Sequence, residues 1–176
     1  IGSRLELMVD DHLIDTMQDA ELRLHHPTPR EVVMAHDEPW EGSGCGYHTV
    51  FRDGNKYRMY YKAWHLDPQQ GKLDIPHETF GAYAESDDGI HWTKPELGLF
   101  EFDGSKANNI CWMHKKGSHD FTPFKDTNPD CPPDEQYKAV GYGPDPRGLY
   151  AFKSSDGIHW EFLQDAPIVT QGAFDT

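Results

Sequence analysis

The stretch ESDDGIHWTKP, Glu85 to Pro95, returns as SSDGIHWEFLQ, Ser154 to Gln164. Asp-Gly-Ile-His-Trp is identical in both, and Asp88 and Asp156 stand 68 residues apart. A repeated run that includes Trp marks an internal structural repeat. Asp-Gly supplies a tight turn, because Gly accepts positive φ without steric penalty. Ser86 and Ser154 are placed to bond the turn backbone, and Trp92 and Trp160 to pack between repeats, largely buried. The repeat is read as a structural staple rather than a catalytic motif.

Working outward from the first copy, GYHTVFRDGNKYRMYYKAW reads as a hairpin. Tyr47–Phe51 is β-rich, Asp53-Gly54 is a turn dipeptide, and Lys56–Trp64 alternates faces. Tyr57, Met59, Tyr61 and Ala63 fall on one side, and Arg58, Tyr60, Lys62 and Trp64 on the other. A polar loop, His65–Glu78, precedes a third strand in TFGAYAES, and IHWTK after the turn gives a fourth. The second copy keeps this order: FTPF (Phe121–Phe124), QYKAVGYG, then LYAFKSS after the turn PDPRG, then IHWEFL. The 68-residue period thus measures one antiparallel four-stranded unit with loop insertions. Repeated four-stranded units predict an all-β chain folded as a β-propeller, with almost no helix. The predicted blades span about residues 46–94 and 121–163. Residues 1–45 would supply closing strands and a loop, and 164–176 the start of a third blade. Two blades cannot close a ring, so the rest of the propeller is expected from further C-terminal sequence or a second chain.

Composition agrees with many short strands. The 176 residues are 36% hydrophobic but 12% aromatic, with 16 Gly and 13 Pro. That aromatic supply argues against disorder. A formal charge of −14 repels phosphate backbones, which argues against nucleic acid or an anionic membrane as partner. No apolar run approaches the roughly 20 residues of a membrane span. The three cysteines, Cys45, Cys111 and Cys131, are odd in number and widely spaced, which excludes a disulfide framework and any Cys-x-x-Cys metal site. Buried, inert thiols are the expected role, since no partner for a Cys45 nucleophile is identifiable from sequence. The eleven histidines lack the i, i+4 spacing of the metalloprotease motif, and neither a metal nor a cofactor is expected.

Five segments carry a family resemblance: LMVDDHLID, PWEGSGCGYHTVFRDGNKYRMYYKAW, YAESDDGIHWTKPELGLFEFDGSKANNI, FTPFKDTNP and GAFDT. Together, from about Leu7 to Thr176, they resemble bacterial proteins described as similar to the N-terminal domain of glycoside hydrolase family 32. These belong with the five-bladed propellers that include family 43. The resemblance implies a five-bladed propeller that cleaves or binds carbohydrate at its funnel mouth, near the starts of the innermost strands. A secreted or periplasmic location is expected ahead of a cytoplasmic one. Glycoside hydrolysis needs two carboxyl groups, one acid and one nucleophile or base. The Trp-Met-Asn-Asp-Pro-Asn, Arg-Asp-Pro and Glu-Cys motifs of family 32 enzymes are missing, so fructan cleavage does not carry over.

Propeller geometry narrows the candidates to three stretches near the axis. Asp175, at the start of an inner strand in GAFDT, and Asp120, one blade earlier in SHDFTPFKD, are the candidate catalytic carboxylates. Trp40 with Glu41 is a candidate stacking platform beside a hydrogen-bonding carboxylate; a packing Trp is the alternative. His48 and Asp126 complete the candidate substrate-binding set. The rival for His48 is a hydrogen-bonded core histidine, and for Asp126 an Asp-based turn. The leading expectation is a glycoside hydrolase acting on an oligo- or polysaccharide. The alternative is a non-catalytic carbohydrate-binding or structural propeller.

Overall fold

The computed structural model describes residues 3, 6–7, 9–69 and 72–172. The chain divides into two compact units, Ile1–Val32 and Val33–Thr176. In the first unit no strand forms among the described residues, so the closing strands expected from this part of residues 1–45 are not found there. Local hydrogen bonds such as that from the Ile14 amide to the Asp11 carbonyl (2.9 Å) take their place.

The second unit is all-β, and its sheets are antiparallel. Its strands are β1 (Gly44–Asp53), β2 (Lys56–Trp64), β3 (Asp67–Gln69), β4 (Lys72–Asp74), β5 (Phe80–Ser86), β6 (Trp92–Thr93) and β7 (Ile110–Trp112). They continue as β8 (Thr122–Lys125), β9 (Tyr137–Pro144), β10 (Arg147–Ser154) and β11 (Glu161–Phe162). The only helical turn among the described residues is a 3-10 turn at Pro133–Glu135. No described helix is long and apolar enough to cross a membrane.

The first sheet runs β1-β2-β5-β6, and β7 shares the outer edge of β5 with β6. β6 pairs at Glu85 and Ser86, while β7 pairs at Gly81 and Ala82. The second sheet runs β8-β9-β10-β11. Two details differ from expectation. The predicted polar loop at His65–Glu78 contains the small β3-β4 ladder. The β1-β2 turn is Gly54–Asn55, one residue on from Asp53-Gly54, because Gly54 at φ 62° takes the central position that demands positive φ.

β2 and β5 present two apolar faces by strict alternation. Met59, Tyr61 and Ala63 share one face with Phe80, Ala82, Ala84 and Ile110, and Trp40, Trp92 and Phe102 pack over it. The other face carries Tyr60, Tyr83 and Cys111, and meets Ala139, Tyr150 and Phe152 of the second sheet with Trp112 and Phe121 between. The two sheets therefore stack face to face through a mainly aromatic core.

The repeated heptads Ser86–Trp92 and Ser154–Trp160 make the same bonds. The Ser hydroxyl accepts the Gly amide (2.8 and 2.9 Å), and the Asp carboxylate accepts the Ile and His amides (all 2.8 Å). The Trp indole donates to the Gly carbonyl at 3.1 Å in both copies. Both indoles are half-buried rather than largely buried, since each lies at a sheet margin. The second turn is also a docking point. The Tyr60 hydroxyl donates to the Gly157 carbonyl at 2.8 Å, and the Arg58 guanidinium to the Asp156 carbonyl at 2.9 Å. A Cβ on Gly157 would stand 2.8 Å from the Tyr60 hydroxyl, so only glycine permits this approach.

At the end of β1 a second clasp joins the sheets. Asp53 accepts from Arg58 (2.6 Å) in its own sheet and from Lys125 and Tyr137 (both 2.5 Å) in the other. Burial alone would raise its carboxyl, but these donors outweigh that and hold it at about 2.

Candidate functional site

At the opposite end of β1 the ladder breaks. Gly46 pairs with Lys62 and Thr49 with Tyr60, so Tyr47 and His48 together face Tyr61. This is a β-bulge, and it ends the simple alternation expected around His48. Tyr47 is held at φ 52°, a conformation disfavoured for a bulky residue and frequent at binding and catalytic sites. Gly44 assists: a Cβ there would lie 2.5 Å from the Trp64 indole nitrogen, so its absence lets the ring lie against the strand.

The bulge serves two clusters. In the first, Glu41 is fully buried. It accepts from the Tyr61 hydroxyl (2.6 Å), Lys94 (2.7 Å), the Glu38 amide (2.9 Å) and His36 Nδ1 (3.3 Å). Burial pushes its carboxyl up, but the bonds from Lys94, Tyr61, Glu38 and His36 prevail and keep it below the usual carboxylate range. It is thus a buried anion, compensated as burial requires. His36 Nε2 stands 3.0 Å from His48 Nε2, and the His48 ring stacks on Tyr61. Partial burial, and then the neighbouring His36, lower the His48 pKa. Burial, and then the Glu41 charge, push the nearby Cys45 thiol up to about 12, so it is no nucleophile at neutral pH.

Beyond Tyr61 the network continues. Asn109 donates to the Tyr61 hydroxyl at 2.8 Å and accepts from the Trp40 indole at 2.6 Å.

The second cluster surrounds Lys62, a buried cation on β2. Its ammonium lies 4.0 Å from the Trp64 ring centroid, 4.5 Å from that of Tyr47 and 3.4 Å from His119 Nε2. The Tyr47 and His119 rings meet at 5.5 Å. His119 precedes β8 as Tyr47 lies near the start of β1, so the starts of the two sheets' first strands come together. His119 lines a cleft of about 270 Å³, which adjoins a second of about 490 Å³. They share Glu78, His114, Lys115 and Pro144.

No protein-family model, curated protein or solved structure matches the chain. The functional reading therefore rests on this geometry and on the sequence motifs.

Of the residues singled out from sequence, Trp40, Glu41 and His48 fall into one bonded network. Glu41 is interior, however, and offers no exposed carboxylate. Trp40 is half-buried, with its indole NH committed to Asn109, and lines a small cleft of about 190 Å³ with Phe102. Asp120 sits beside His119 and accepts the Tyr142 amide at 2.6 Å, tying its loop to β9. Asp126 stands at the other end of β8. It accepts from Lys138 (2.5 Å) and the Asn128 amide (2.8 Å), so it is the turn aspartate rather than a member of this site. Asp175 lies outside the described residues.

Sequence reasoning placed His119 in a candidate stretch but missed His36, Lys62, Lys94 and Asn109 as members of the two clusters. Only the Gly-Tyr pair inside a strand, a signature of a bulge, could have drawn attention to this place.

Proposed function

We propose that this chain belongs to a β-propeller of the glycoside hydrolase family 32/43 type, and that it binds and cleaves an oligo- or polysaccharide beside the β1 bulge. The carrying observation is the strained Tyr47, held against His119 where the first strands of two stacked sheets begin, with His119 lining a cleft of about 270 Å³. A volume of that order accommodates a sugar-sized ligand, and aromatic faces such as Tyr47 and Trp64 suit the apolar face of a pyranose. Two antiparallel four-position meanders with the same heptad at the same turn support the propeller reading. Asp120 is the described carboxylate best placed to act, and Asp175 is its proposed partner in hydrolysis.

A non-catalytic saccharide-binding module is the second reading. It is favoured by the commitments of Glu41 and Asp120 to internal donors. Affinity electrophoresis against neutral and acidic polysaccharides, paired with a reducing-end assay, separates the two. Binding that is lost in Tyr47→Ala or Trp64→Ala supports the site. Turnover lost in Asp120→Asn with binding retained supports hydrolysis. Binding without turnover in the parent chain selects the module, and no retention on any polysaccharide overturns both readings.

A further inference from the structure

The cluster behind the bulge carries an inference independent of any sugar. One donor atom from each of His36, Glu41 and Cys45 lies within 4.8 Å of the other two. We propose that these three side chains bind a zinc-type transition metal ion, the Cys45 thiol releasing its proton to solvent as the metal–sulfur bond forms, with a fourth coordination position left open. In a tetrahedral site with Zn–N, Zn–O and Zn–S bonds of about 2.0–2.3 Å, donors stand roughly 3.3–3.8 Å apart. Closure by about an ångström reaches that geometry. An imidazole, a carboxylate and a thiol form a mixed set that suits zinc or cobalt(II) and not the all-oxygen shells of calcium or magnesium.

The surroundings are those of a held site. His36 Nδ1 faces Glu41, and its other nitrogen meets His48 at 3.0 Å. With a metal on Nδ1, His36 carries its proton on Nε2 and donates it to His48, the outer hydrogen bond that fixes a metal-bound histidine. Tyr61 and Lys94 anchor the Glu41 carboxylate from the interior. Glu41 and Cys45 are brought together by a turn through Gly42 at φ 62°. His48, which holds the far side of the His36 ring, is exposed.

Cobalt(II) titration of the 176-residue chain, read by absorption, tests the proposal directly. One ion per chain should bind, with intense four-coordinate d–d bands and a near-ultraviolet thiolate-to-cobalt band. Cys45→Ser should abolish the thiolate band, while Cys131→Ser leaves it unchanged. His36→Gln should remove the stoichiometric site as read by zinc calorimetry. His48→Ala should weaken zinc affinity by about tenfold and keep the cobalt thiolate band. A parent chain with no thiolate band, or a band that survives Cys45→Ser, overturns the proposal. The parent spectrum alone decides if a variant does not fold.

Discussion

The Tyr60 hydroxyl donates to the Gly157 carbonyl across 97 residues of sequence, at 2.8 Å in the buried seam between the two sheets. Gly157 O also accepts the Trp160 indole at 3.1 Å, so it keeps one partner when Tyr60 is removed. Tyr60→Phe should therefore cost about 1 kcal/mol in urea unfolding, the ordinary worth of one hydrogen bond. A loss below about 0.3 kcal/mol would show that the seam is held by ring packing alone.

Acid stability should depend on Asp53. Its folded carboxyl sits at about 2, below the ordinary 3.8. A depressed pKa contributes stability that is full above the ordinary value and is lost as pH falls through the folded value. The contribution is about 2 kcal/mol above pH 5, fading between pH 4 and pH 2. Asp53→Asn should lose that amount at pH 6 and show a flatter profile on acidification. Parallel profiles for parent and variant would remove Asp53 as the cause.

Tyr47 gives a way to separate site from scaffold. Its φ of 52° strains any bulky residue, and glycine relieves that strain at the cost of unfolded-chain entropy. Tyr47→Gly should leave stability within about 1 kcal/mol of the parent while saccharide retention falls. A variant that unfolds by several kcal/mol would make Tyr47 a core residue instead.

The twin turns predict additive losses. Ser86→Ala and Ser154→Ala each remove the acceptor of a Gly amide, and each should cost about 1–2 kcal/mol. The hydrogen bonds described above do not join the two turns, so the double variant should match the sum within about 0.5 kcal/mol. Strong coupling would point to a contact between the turns that the bond network does not contain.

Sequence reading reached the turns because the bonds that shape them are local: Ser86, Asp88, Gly89 and Trp92 satisfy one another within a single heptad. It reached β2 because Lys56–Trp64 alternates. It did not reach β7, a three-residue apolar strand whose pairing with Gly81 and Ala82 depends on where the chain returns. The candidate site was legible only in part. Trp40, Glu41 and His48 stood out by type, but the links through His36, Tyr61 and Asn109 span up to 69 residues. Glu41 was read as a group available to sugar because acids usually face water. Its burial depends on Lys94, which lies 53 residues away.

The heptad turns also bear on the route by which the chain assembles. Each turn closes over at most three residues, so it organises with little loop-closure entropy, on the microsecond scale of hairpins. Docking of Tyr60 on Gly157 closes a loop of nearly a hundred residues and must come late. Ser154→Ala should then slow refolding, whereas Tyr60→Phe should chiefly speed unfolding, a contrast that stopped-flow chevrons read directly.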